Sequence, residues 1–186
     1  MHEFAVLLGF DRDSEDAILS IQREVGEATG NTFISDNGMF PHISLSLFTS
    51  EHPEECARIV KDLASDGIDI TIRLGSVGIF NTPLAVVNLL PVVTKELLVL
   101  HDDLIRRLSP YASDLHSYYL QPVWIPHCSA AINIEPDLLG VTVEAVCARF
   151  QPCDVQVAYI SLAECCPYRE YGRWPVGCKK EDRSAK

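Results

Sequence analysis

Two short stretches of this 186-residue chain repeat one pattern, Pro41-His42-Ile43-Ser44 and Pro126-His127-Cys128-Ser129. The two histidines stand 85 positions apart, close to half of the chain. In an extended strand neighbouring side chains face opposite sides, so residues i and i+2 project together, about 7 Å apart. His42 would therefore stand beside Ser44, and His127 beside Ser129. Two such strands set near each other would surround one cavity with two imidazoles and two hydroxyls. That set suits a phosphodiester. One neutral histidine takes a proton from the attacking water or hydroxyl, and the other, protonated, gives one to the leaving oxygen. An unperturbed pKa of about 6.5 lets imidazole hold either form near neutrality. The serine hydroxyls can donate to non-bridging phosphate oxygens, where charge must be held through the transition state. A solitary strand histidine is more often structural. The matched pair, each with its hydroxyl, is what points to catalysis.

The elements that must position these residues follow from periodicity and turn signals. Glu3–Phe10 reads as a buried strand, followed by a helix over about 14–28 that Asp13 or Ser14 caps. Pro41–Phe48 is a strand with His42, Ser44 and Ser46 on one face and Ile43, Leu45 and Leu47 on the other. A helix opens at Pro53 and runs to about Ala64. Ile68–Leu74 alternates as a strand, Val77–Phe80 extends or follows it, and Leu84–Val93 is a very apolar strand. Thr94 caps a helix to about Leu108, and 116–122 is a loop. Val123–Ile134 reads as a strand carrying the second motif, Pro136–Phe150 as a helix and Cys153–Cys165 as a strand, with an edge piece at Gly172–Val176. A strand, a helix and a motif-bearing strand thus occur twice, the mark of an internal duplication in an α+β chain. No GxGxxG or P-loop follows the first strand, which disfavours a dinucleotide fold.

Bulk properties narrow the function classes. The formal net charge is −11, which argues against tracking long nucleic acid, since affinity for a phosphate backbone comes largely from Lys and Arg. A small cyclic nucleotide or a short RNA terminus is the expected partner, with no membrane and a monomeric state. No segment has the length of a membrane span or the make-up of a signal peptide, so a cytoplasmic protein is expected. Cysteines 56, 128, 147, 153, 165, 166 and 178 form an odd, irregular set and read as reduced thiols. No metal and no cofactor is expected, because Cys128 would turn away from His127 on a strand. His2, His52, His101 and His116 lack ligand spacing; His52 is placed in a loop and His101 on a helix surface.

The two H-x-S motifs, each leading an apolar stretch and separated by half of the chain, resemble the two-histidine (2H) phosphoesterase superfamily, in its 2′-5′ RNA ligase-like and cyclic phosphodiesterase branch. Pro167-Tyr168-Arg169-Glu170-Tyr171-Gly172-Arg173-Trp174-Pro175 is also similar to the aromatic-containing C-terminal strand of such proteins. Many members carry Thr where Ser44 and Ser129 stand, which keeps the hydroxyl. The resemblance implies a bilobal α+β fold with two facing, antiparallel-rich sheets, outer helices and a pseudo-two-fold duplication. It places one such domain over 1–178, with the motifs near 41–48 and 126–132 and a polar tail at 179–186. It further implies metal-independent hydrolysis of a 2′,3′-cyclic phosphate or a related nucleotide or RNA-end linkage. His42 and His127 would then be the acid and base, with His127 activating water and His42 protonating the leaving oxygen. Ser44 and Ser129 would hold phosphate. Tyr168, Tyr171 and Arg173, the core of the one dense cation–aromatic cluster, are further substrate-binding candidates. Two other readings stay open: an RNA-end or nucleotide-binding module without turnover, and a 2′-5′ RNA ligase running the reverse reaction.

Overall fold

The structure, a computed structural model, describes residues 2–165 and 168–177. The expected tail at 179–186, Cys166 and Cys178 lie outside those residues. The chain order is β1 (His2–Phe10), α1 (Arg12–Thr29), α2 (Phe33–Asp36), β2 (His42–Ser50), α3 (Pro53–Ser65), β3 (Thr71–Phe80), β4 (Ala85–Pro91), α4 (Lys95–Leu108), β5 (Asp114–Leu115), β6 (Cys128–Ile134), α5 (Leu139–Arg149), β7 (Cys153–Cys165) and β8 (Tyr168–Pro175). Two successive runs of strand, helix, motif strand, helix, strand are visible in this order: β1-α1-β2-α3-β3 and β4-α4-β6-α5-β7.

All strand pairs are antiparallel, and the two runs exchange their last strands. β1 lies between β2 and β7, so the first motif's sheet is completed by a strand of the second run. β4 lies between β6 and β3, so the second motif's sheet is completed by a strand of the first run. The exchanged strands meet where Thr71–Leu74 of β3 pairs with Cys153–Gln156 of β7. β7 is long enough to continue past this junction, pairing with β1 on one edge and with β8 on the other. The helices are exchanged too. α3 and α4 pack against the sheet of β2 and β7, whereas α1 and α5 pack on each other and on β6.

Local chemistry sets the helix ends. The Asp11 carboxylate, rather than Asp13 or Ser14, caps α1 by accepting from the Ser14 backbone N–H at 3.0 Å, and Gly30 ends the helix at φ 71°. The expected strand pieces at 68–74 and 77–80 form the single strand β3, with a break in register between Leu74 and Ser76. The strand expected from Val123 begins only at Cys128. Pro122 and Pro126 have no N–H to give a ladder, so His127 stands just ahead of β6 instead of within it.

A bulge in β2 alters which side chains reach the cleft. Val6 pairs with Ser46 but Leu7 pairs with Ser44, leaving Leu45 as the extra residue. Ser46 is therefore fully buried, and Leu47 instead joins Ala5 and Leu7 on the face of His42 and Ser44. The expected sharing of one face by His42, Ser44 and Ser46 is corrected by this one inserted residue. Where β1 runs beside the first motif, Gly9 pairs with both His42 and Tyr159. A Cβ there would fall inside the Tyr159 ring. That ring is fixed by the 2.5 Å bond from its hydroxyl to Glu15 and by the Arg173 guanidinium 4.1 Å above it. Gly9→Ala is expected to lower stability by about 1–3 kcal/mol through overpacking, measured by urea unfolding; an unchanged midpoint would contradict the packing described.

Candidate functional site

The two motifs converge on one cavity of about 200 Å³, lined by His42, Ser44, His127 and Ser129 together with Tyr119 and Phe80. Each histidine is held in the same way. The Nδ1 of His42 lies 2.6 Å from the Phe40 carbonyl, and that of His127 lies 2.8 Å from the Ile125 carbonyl. A carbonyl only accepts, so Nδ1 carries the proton and donates. The neutral imidazole then keeps its lone pair on Nε2. In both copies the accepting carbonyl belongs to the residue just before the proline. Proline confines that residue to extended backbone and fixes its own φ, which explains why the repeat begins with Pro. A phenylalanine meets each ring edge-on, Phe40 at 5.3 Å from His42 and Phe80 at 4.7 Å from His127.

Electrostatics follow from this enclosure. Burial holds the His42 pKa below 6.5, offset in part by the Phe40 carbonyl and lowered further by the charge of His127. Burial also lowers His127, against the pull of the Ile125 carbonyl. Cys128 points into the core, fully buried, with its thiol pushed up to about 12, so it is no thiolate ligand beside His127. Among the described residues no group of three or more His, Cys, Asp or Glu is placed to hold a metal ion.

The two serines line the cavity but differ in their partners. The Ser129 hydroxyl donates to Oδ1 of Asn88 at 3.0 Å, and its backbone carbonyl accepts from the Gln22 amide on α1 at 2.9 Å. Ser44 instead has the Tyr119 hydroxyl beside its own, and its carbonyl accepts from Trp124 Nε1 at 3.2 Å. That last bond ties the first motif to the loop ahead of the second. His101, expected on a helix surface, is 1% exposed. It stacks on Trp124 at 3.9 Å and its Nε2 meets the Tyr119 carbonyl at 2.9 Å, which fixes the loop carrying Tyr119. Its place on the inner stripe of α4, with Leu97, Leu100, Leu104 and Leu108, is the reason.

A larger cavity of about 770 Å³ adjoins the first, sharing His42, Ser44, Met39 and Tyr119. Its apolar floor comes from Ala5, Leu7 and Leu47, and Tyr168 forms part of its wall. The buried Tyr168 hydroxyl has no hydrogen-bond partner among the described residues, and its pKa is pushed up to about 12 by burial. The other two candidates of the cluster stand elsewhere. Tyr171 packs edge-on against Phe4 and reaches Glu54 on α3 at 3.3 Å. Arg173 is paired with Glu170 at 2.6 Å, lies over the Tyr159 and Phe40 rings, and lines neither cavity. Asn88 and Tyr119 were not among the sequence candidates. Asn88 did leave a signal, as the one polar side chain in the apolar strand Ala85–Pro91, but Tyr119 sits in an aperiodic loop.

A family model described as the 2′-5′ RNA ligase superfamily matches residues 17–165. No curated protein sequence matches the chain. Among solved structures, E. coli LigT in apo form superposes with a TM-score of 0.62 at 12% identity, covering 95% of this chain and 98% of that one. The protein TT0787 of Thermus thermophilus gives 0.62 at 13% identity, with 95% and 99% covered. E. coli LigT complexed with 3′-AMP gives 0.60 at 12% identity, with 94% and 98% covered. At these identities the likeness is one of fold.

An acid–base pair is active with one imidazole protonated and one neutral. Both lowered pKa values confine that state to the acid side of 6.5, and kcat/KM reports the free enzyme. A reaction that uses the two rings as acid and base is therefore expected to have its kcat/KM maximum below about pH 6.5, the ordinary histidine pKa, with a fall as pH rises through neutrality. A maximum on the alkaline side of neutrality would contradict the burial of both rings.

Proposed function

The chain belongs to the 2′-5′ RNA ligase superfamily, the 2H phosphoesterases, and on that premise we propose that it is a metal-independent phosphodiesterase hydrolysing a 2′,3′-cyclic phosphate or a related nucleotide or RNA-end linkage. The observation that carries this reading is the convergence of His42, Ser44, His127 and Ser129 on one phosphate-sized cavity, with both Nε2 atoms left for the chemistry. In the proposed reaction His127 takes a proton from water as the water oxygen bonds to phosphorus. The bond from phosphorus to one ribose oxygen breaks, and that oxygen takes its proton from His42. A phosphomonoester results, and the two rings exchange protonation states until solvent resets them. Ser44, whose neighbour Tyr119 is a hydroxyl able to donate as well as accept, can turn its own proton to a non-bridging phosphate oxygen.

Purified protein with chelator present is expected to hydrolyse a nucleoside 2′,3′-cyclic phosphate. His42→Ala and His127→Ala should each lower kcat by about 10²–10⁴, followed by chromatography of the product. Substantial activity left in either variant would remove the pair from the mechanism.

The larger cavity bears on substrate size. Glu3 and Asp36 line it, and no Lys or Arg is among the described residues lining either cavity. A nucleoside whose one charged group is the reacting phosphate fits there, and flanking phosphates of a longer strand would meet like charge. The kcat/KM is expected to be several-fold higher for a mononucleoside cyclic phosphate than for a trinucleotide ending in one. The gap should narrow at high salt, which screens exposed charges, and in a Glu3→Gln, Asp36→Asn double variant. A trinucleotide preferred at low salt would overturn this size limit.

A further inference from the structure

We propose that Asn88 is a positioning residue that makes the two motif serines unequal, turning Ser129 into a hydrogen-bond acceptor that orients the attacking water. The proposal rests on the hydrolytic reading above and assigns a part of that site to residues outside the repeated motif. A serine hydroxyl has one proton and two lone pairs. In Ser129 the proton is given to Asn88 Oδ1 at 3.0 Å. Asn88 is fully buried, stands directly opposite Ser129 in the β4–β6 pair, and spends its own Nδ2 on the Val86 carbonyl at 3.4 Å. With the proton so engaged, Ser129 offers the cavity only lone pairs. A non-bridging phosphate oxygen, itself an acceptor, finds no donor there.

A water does find a partner. It has two protons, and the cavity supplies two acceptors from the same motif: Nε2 of neutral His127 and Oγ of Ser129. A water donating one proton to each has both O–H bonds turned toward the protein and a lone pair left for phosphorus. His127 removes its proton during attack, while Ser129 keeps hold of the other, which stays on the new P–OH group. Among the described residues no such amide meets the Ser44 hydroxyl; its neighbour is the Tyr119 hydroxyl, which can donate as well as accept. The pattern His-x-Ser is repeated, but β4 places an amide beside one copy only. An alcohol nucleophile has a single proton, which His127 alone can accept, so Ser129 should favour water over alcohols.

The test compares Ser129→Ala, Ser129→Thr, Asn88→Leu and Ser44→Ala on a nucleoside 2′,3′-cyclic phosphate, with and without added methanol, scoring the phosphomonoester against the methyl ester. Ser129→Ala should lose about tenfold in kcat, the worth of one oriented hydrogen bond, with KM unchanged and a larger share of methyl ester. Ser129→Thr should restore both. Asn88→Leu should shift the product ratio in the same direction; if it does not fold, the Ala–Thr comparison at 129 decides. Ser44→Ala should raise KM and leave the product ratio as in the wild type. A raised KM with an unaltered product ratio in Ser129→Ala would make Ser129 a second phosphate holder and overturn the proposal alone. Absence of turnover by the wild-type protein would overturn the phosphodiesterase reading and this proposal with it.

Discussion

The pairing of β3 with β7 is the constraint on which the site depends. In each sheet the motif strand pairs with a strand of its own half, and the strand beyond that one comes from the other half of the chain. The Thr71–Leu74 and Cys153–Gln156 segments hold the two sheets at a common seam, and β7 runs on from there alongside β1. Leu74, Ile72 and Val155 at this seam are almost fully buried, so the pairing also forms the middle of the core. Removing it would separate His42 from His127, which now line one cavity of about 200 Å³. The long-range hydrogen bonds from Trp124 to Ser44 and from Gln22 to Ser129 then fix each motif within that frame.

Much of this was legible in the sequence because it is local. The Pro-His-x-Ser repeat, the helix that opens at Pro53, the cap at Thr94 and the strand Cys153–Cys165 all rest on residue types and short spacings. The two imidazoles and two hydroxyls do line one space, as the i, i+2 geometry suggested. What the sequence hid arises from non-local pairing. The bulge at Leu45 shifts Ser46 into the core, and an alternating pattern of polar and apolar residues contains no mark of it. His101 looks solvent-facing by type, yet it fills the stripe between leucines on α4 and stacks on a tryptophan 23 positions away.

The C-terminal cluster shows the same limit. Tyr168, Tyr171 and Arg173 are neighbours in sequence, but β8 sends Tyr168 to the cavity wall and Tyr171 toward α3, and Arg173 is taken up by Glu170 and the Tyr159 ring. Composition identified a group of side chains without indicating that its members belong to different surfaces. The acidity of the chain reappears in the larger cavity, which carries Glu3 and Asp36, and neither cavity has a lining cation among the described residues.

The carbonyls of Phe40 and Ile125 that orient the histidines carry one last implication. Many catalytic imidazoles are steered by a carboxylate, a side chain that a single base change can remove and that brings its own charge. Here the steering group is main chain, present whatever residue occupies positions 40 and 125, provided the following proline keeps the backbone extended. The aim of both rings is thus insulated from drift in the side chains around them. Walls, rims and floor are at liberty to change their charge and size while the two rings stay aimed. A lineage built this way could reshape the lining of its cleft, with the orientation of both imidazoles left untouched.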